Sequence, residues 1–175
     1  MKILIINHKE KECGVYQYGA RVGSILSKST KHNFEYFECS SSEEFNLKTS
    51  DFKPNVIIYN YLPETMPWFS GEILSKLRME GVKQGLIVHN IGYSVGFDFY
   101  LHQNPRYPEN GINFPILRPL FEFLETEKKP NETLQIGSFG FGFKFKKYED
   151  ICELVNDQFS QATINLHLTV SKFFP

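Results

Sequence analysis

The stretch Lys2-Ile3-Leu4-Ile5-Ile6-Asn7-His8-Lys9-Glu10-Lys11-Glu12-Cys13-Gly14-Val15-Tyr16-Gln17-Tyr18-Gly19 decides the fold. Ile3 to Ile6 are an unbroken apolar run of strand length, the pattern of a strand covered on both faces. A polar loop follows at once. From Val15 to Ser29 the pattern is helical, with Val15, Gly19, Val22 and Leu26 on one face. A glycine inside a helix costs about 1 kcal/mol against alanine. Gly19 on the buried face therefore points to a close approach of the helix to the sheet.

Working outward, the same alternation repeats. Asn33 to Cys39 reads as a second strand, Ser40 to Asp51 holds a short helix, and Pro54 to Tyr59 is a third strand. Proline stands at the start of that strand, where a missing N–H does least harm. Tyr61 to Trp68 is a loop kept extended by Pro63 and Pro67. Ser70 is placed to cap a helix that buries Ile73, Leu74 and Leu77 and stops at Gly81. Lys83 to His89 is the fourth strand. Short strands are expected near Phe97 to Leu101 and Phe114 to Leu117. Strands alternating with helices define an α/β fold, a Rossmann-like parallel sheet with helices on both faces.

A charged stretch ending Lys128-Lys129-Pro130-Asn131 reads as a linker, so residues 1–125 form a first domain and 126–132 the connection. Residues 133–175 then begin a partial second βαβ unit. Thr133 to Ser138 is its first strand and Ala162 to Leu168 its second. Lys146 to Phe159 is the helix between them, burying Tyr148, Ile151, Cys152, Val155 and Phe159. His167 alternates with Ile164, Leu166 and Leu168 and is expected on the polar side.

Composition narrows the function classes. The 175 residues are 41% hydrophobic and 22% charged, with 19 basic and 20 acidic side chains and a net charge of −1. Those fractions exclude a disordered or low-complexity chain. No basic surplus marks a nucleic-acid binder, so no nucleic-acid partner is expected. The apolar runs fall far short of the roughly 20 residues that span a bilayer. Cys13, Cys39 and Cys152 are odd in number and widely spaced, which fits a reducing cytoplasm. No metal-ligand cluster is visible, and no metal is expected.

In open α/β sheets, ligands bind at the carboxyl ends of the strands. The residues there are Asn7 and His8, Asn60 and Tyr61, and His89 and Asn90, with Gly14 in the first strand-to-helix loop. Amides and imidazoles on one edge suit a polyhydroxylated ligand, although any such edge is polar because loops leave from it. His89 can act as base or donor near neutral pH. A second constellation, Gly137-Ser138-Phe139-Gly140-Phe141-Gly142-Phe143, lies between a strand and a helix, where backbone N–H groups favour phosphate. It lacks the lysine and hydroxyl of a P-loop and the third glycine of a dinucleotide fingerprint. A tight turn with aromatic packing accounts for it equally well.

These stretches together resemble the retaining, nucleotide-sugar-dependent glycosyltransferases of the GT-B fold. The likeness is carried by Cys13 to Arg21, by Val56 to Pro63 with Ile87 to Asn90, and by Ile136 to Glu149. It implies transfer of a sugar from a nucleotide sugar to a carbohydrate or glycolipid acceptor, with no cofactor beyond the donor. It implies His89 as the catalytic residue, Gly14, Gly140, Gly142 and Lys146 beside the donor phosphates, and His8, Asn60 and Asn90 toward the acceptor. Peripheral membrane contact and self-association or a partner subunit are further implications. The chain departs from the family at Phe141, where arginine is common, and at Lys147, where glycine is usual. The family's second domain also runs well beyond 175 residues, which leaves this chain resembling an acceptor domain plus the start of a donor domain. The alternative reading is a non-catalytic carbohydrate- or nucleotide-binding module or a partner subunit of a transferase. A flavodoxin-like nucleotide binder is the third.

Overall fold

The computed structural model describes residues 1–89, 96–104, 106, 109–116, 119 and 133–169. The chain forms two compact units, Met1–Phe121 and Glu122–Pro175. Asn90 and residues 126–132 of the expected linker lie outside the described residues.

The first unit is α/β and Rossmann-like. Its strands are β1 (Lys2–Asn7), β2 (Asn33–Glu38), β3 (Val56–Tyr59), β4 (Lys83–Val88), β5 (Phe99–His102) and β6 (Asn113–Pro115). They form one sheet in the order β2-β1-β3-β4-β5-β6, and every pair is parallel. Helix α1 (Gly14–Leu26) joins β1 to β2, α2 (Ser42–Phe52) joins β2 to β3, and α3 (Gly71–Met79) joins β3 to β4.

Strand alternation sends side chains to two cores. On one face Leu4, Ile6, Ile57, Tyr59 and Leu86 pack with Phe45 and Phe52 of α2 and with Leu74 and Leu77 of α3. On the other, Ile3, Ile58 and Ile87 pack with Tyr18 and Val22 of α1. Fully burying side chains of this size stabilises by about 1.5–3 kcal/mol each. Gln84 is buried in β4, yet its amide is satisfied: Nε2 donates to the Leu74 carbonyl at 2.7 Å, and Oε1 accepts from the Tyr59 hydroxyl at 3.0 Å.

Local signals explain the helix boundaries. Ser41 caps α2, its hydroxyl accepting from the Glu44 N–H at 3.2 Å. Gly81 follows α3 at φ +81°, the left-handed turn that ends a helix. Ser70 stands in the cap position of α3, but its side chain makes no capping bond. The buried face of α1 is also rotated from the expected one. Tyr16, Tyr18, Gly19, Val22 and Gly23 are buried, while Val15 and Leu26 are only half-buried.

The second unit is a single βαβ. Strand β7 (Leu134–Phe141) pairs in parallel with β8 (Ala162–Thr169), and α4 (Tyr148–Gln158) connects them after a 3-10 turn at Lys144–Lys146. Two expectations are corrected here. The strand runs on through Gly140 and Phe141 rather than ending at Ser138, so most of the glycine-rich run, Gly137 to Phe141, is strand. The helix begins at Tyr148 and buries only Val155, while Ile151 and Phe159 stay exposed. The physical reason is width: two strands about 4.8 Å apart cannot cover the broad apolar stripe of a helix. His167 is exposed on the outer face, as the alternation implies. Among the described residues no helix is long and apolar enough to cross a membrane.

Candidate functional site

The order β2-β1-β3 places a topological switch point between β1 and β3, because the chain leaves β1 toward one side of the sheet and β3 lies on the other. Crevices form at the carboxyl ends of such strands. Asn7 ends β1, Asn60 follows β3, and His89 follows β4.

The structure joins these three side chains in one hydrogen-bond chain. Asn60 Nδ2 donates to the Val15 carbonyl at 2.7 Å and to Asn7 Oδ1 at 2.8 Å. The Val15 carbonyl can only accept, so the amide orientation of Asn60 is assigned and its Oδ1 faces His89. His89 Nε2 lies 2.6 Å from that oxygen and therefore carries the proton. Its Nδ1 then accepts from Gln103 Nε2 at 3.0 Å. With the Gln103 amide in this orientation, His89 donates from Nε2 and accepts at Nδ1. Tyr18 sets its edge against the ring at a centroid distance of 5.2 Å.

The chain continues to the edge strand. Asn7 Nδ2 lies 2.8 Å from the Tyr36 hydroxyl and donates to the Tyr16 carbonyl at 3.0 Å. Tyr36 and Tyr16 both donate to Glu38 Oε1, at 2.9 and 2.6 Å. Burial raises the Tyr36 hydroxyl well above its usual range, and the bond to Glu38 raises that of Tyr16. Glu38 therefore keeps two protonated phenols as donors.

Gly19 makes this arrangement possible. A Cβ there would lie 2.4 Å from Asn60 Nδ2 and 2.8 Å from Asn7 Nδ2. The helix approaches the strand ends so closely that the two amides fill the space a side chain would occupy. Asn7, His8 and Asn60 are fully buried. The amide hydrogens of Asn60 are both spent within the protein, so what the structure gives Asn60 is the task of fixing α1 and His89.

His8 Nδ1 accepts from the Glu10 N–H at 3.2 Å, whereas its Nε2 is buried with no partner among the described residues. Burial of the ring lowers its pKa below 6.5, against the opposing pull of Glu10 and Glu38. Gly14 is the first residue of α1, and nothing lies within 4 Å of a Cβ built on it. It leaves that helix start open.

In the second unit, Gly140 and Lys146 are brought together. Gly140 has φ +128°, and a Cβ on it would sit 2.6 Å from Lys146 Nζ. The rings of Phe141, Phe143 and Phe145 stack in succession at 5.3 and 5.2 Å. Lys147 adopts φ 50°, ψ 47°, the left-handed conformation that glycine takes without cost. Gly142 donates its N–H to the Thr169 carbonyl at 3.2 Å, so that donor is already used.

Gln103 is the site residue that the strand-end rule missed. It follows β5 as His89 follows β4, but the irregular sequence around it put the end of that strand one residue early. Among the described residues no cluster of His, Cys, Asp and Glu could hold a metal ion. The chain has no significant match to any family model, curated protein or solved structure.

Proposed function

We propose that the first unit is the acceptor-side domain of a retaining glycosyltransferase, which moves a sugar from a nucleotide sugar to a carbohydrate or glycolipid hydroxyl. The observation that carries this reading is His89, held at the switch-point edge in one tautomer between Asn60 and Gln103. Asn60 fixes the Nε2 side, which leaves Nδ1 as the working atom. An acceptor hydroxyl that takes the place of the Gln103 amide finds a lone pair directed at its proton, as general-base assistance or orientation requires. In the second unit, Lys146 beside Gly140 is a cation of the kind that holds a donor's phosphate group.

The test is a panel of nucleotide sugars and acceptors, read by nucleoside diphosphate release, with the full encoded protein and its His89→Ala variant. Turnover at least about tenfold lower in the variant supports the reading. A near-wild-type variant removes His89 from the site, and no transfer or donor hydrolysis across the panel overturns the assignment. One observation favours the second reading, a binding module or partner subunit. Phe139 and Phe145 are 83% and 76% exposed on a unit whose helix buries one side chain. Exposed aromatic surface of that kind marks a contact surface, and self-association at micromolar concentration without turnover would select it.

A further inference from the structure

The opposite end of the same sheet carries chemistry that sugar transfer does not use. Strands β2, β1 and β3 lie side by side, and each begins near a lysine: Lys31 before β2, Lys2 opening β1, and Lys53 before β3. Hydrogen bonds tie these starts together. Asn33 N–H donates to the Met1 carbonyl and Asn55 N–H to the Lys2 carbonyl, each at 2.9 Å, and Lys2 N–H donates to Asn55 Oδ1 at 2.9 Å. Neighbouring strands are about 4.8 Å apart, so the outer two starts are separated by about 10 Å, the scale of a diphosphate with its flanking ammonium groups.

An open hollow of about 800 Å³ occupies this end, lined by all three lysines together with Ser29, Thr30 and His32. No carboxylate lines it. Lys2 Nζ donates to the Phe52 carbonyl at 3.0 Å and keeps two further donors. Lys31 and Lys53, like several other lysines, make no ion pair among the described residues.

Lys53 adds an independent observation. It caps the C-terminus of α2 at φ 51°, ψ 65°, a left-handed position that favours glycine or asparagine. A side chain kept there against its backbone preference is the kind of outlier that collects at ligand sites. Lys53 is one of the residues that line the hollow.

We propose that this hollow binds a small polyanion carrying at least two phosphate groups, gripped by Lys31 and Lys53 with Lys2 between them. The ligand is a soluble di- or polyphosphate rather than a lipid surface, because the three lysines belong to adjacent strand starts whose outer two are about 10 Å apart, a spacing two linked phosphate groups can bridge. The site shares no residue with the proposed transfer site and does not depend on that reading.

The test is calorimetric titration of the full chain with sodium pyrophosphate at fixed ionic strength. The expected result is saturable binding with Kd below about 1 mM. Lys31→Gln and Lys53→Gln should each weaken it about tenfold, the loss of one charge-assisted bond, while Lys53→Arg retains it. Orthophosphate should bind about tenfold more weakly, and Lys76→Gln, a surface lysine outside the hollow, should bind pyrophosphate as wild type does. Absence of saturation, or wild-type affinity in the Lys31→Gln/Lys53→Gln double variant, overturns the proposal. So does an equal loss of binding in Lys76→Gln, which would show that surface charge outside the hollow holds the phosphate. Preference for phosphatidylserine vesicles over pyrophosphate would overturn the choice of a small ligand.

Discussion

Gly19→Ala tests the architecture of the switch-point edge at one atom. At an open position in a helix this substitution stabilises, by about 1 kcal/mol from propensity. Here the new Cβ would lie 2.4 Å from Asn60 Nδ2, 2.7 Å from its Cγ and 2.8 Å from Asn7 Nδ2. None of these neighbours is the far end of a flexible chain. Both amides are short and hydrogen-bonded, and Asn60 cannot turn away without losing its bonds to Val15 and Asn7. Each buried polar group left unsatisfied costs about 1–3 kcal/mol. Two such losses, less the propensity gain, leave a net destabilisation of about 1–5 kcal/mol, centred near 3. Urea unfolding followed by tryptophan fluorescence reads it cleanly, because the single tryptophan, Trp68, packs in the first unit against Phe45 at 5.5 Å. With m values of about 1–3 kcal/mol per molar urea, the midpoint should fall by about 1–2 M. Gly14→Ala is the control: nothing lies within 4 Å of its added Cβ, and its midpoint should hold or rise. A Gly19→Ala midpoint equal to wild type would refute the close-approach argument and, with it, the role of the two asparagines in fixing His89.

Three further outcomes follow from particular groups. His8 has its pKa lowered from 6.5 by burial, so the unfolded chain takes up a proton first as pH falls. Stability is full above about pH 6.5 and declines below it, and His8→Gln should flatten the urea midpoint between that pH and about 5; an unchanged slope would contradict this. Burial pushes the Cys39 thiol up to about 12, so in the native protein at pH 8 a thiol reagent should label Cys13 and Cys152 and reach Cys39 only on unfolding. Rapid labelling of all three would contradict that burial. Lys147→Gly relieves a left-handed lysine worth about 1 kcal/mol. Exchange of the Ile151 amide, which donates to the Lys147 carbonyl, should slow by about fivefold, and faster exchange would show that the Lys147 side chain matters more than its backbone.

Much of the first unit was legible because its signals are local and redundant. The Ile3–Ile6 run and the glycine at Gly81 each report on a few neighbouring residues, whereas the serine that does cap a helix, Ser41, was passed over for Ser70. Gly19 was readable as a close approach, although its partners were not, since Asn60 lies far along the chain. Tyr16 and Tyr18 escaped the apolar count because a buried tyrosine needs a hydrogen-bond or ring partner that periodicity does not reveal, here Glu38 and His89. In the second unit the βαβ order was legible, but the burial of its helix was not, for a different reason. The apolar face of α4 predicts burial, but burial is supplied by the sheet, and two strands leave Ile151, Leu154 and Phe159 exposed. The extension of β7 through Gly140 and Phe141 was likewise hidden, because glycine carries no strand preference and the pairing partners, Leu168 and Thr169, come from β8.

The most direct measurement is to map where a nucleotide sugar touches the protein, by following backbone and imidazole signals of the isotopically labelled chain during titration with a donor panel. The account predicts saturable shifts in His8, Gly14, Asn60, His89 and Gln103 and in the Gly140–Lys146 segment, with the His89 imidazole reporting protonated Nε2 before ligand is added. Shifts confined to Lys31, Lys53 and Asn55, or no saturable shift with any donor, would contradict it.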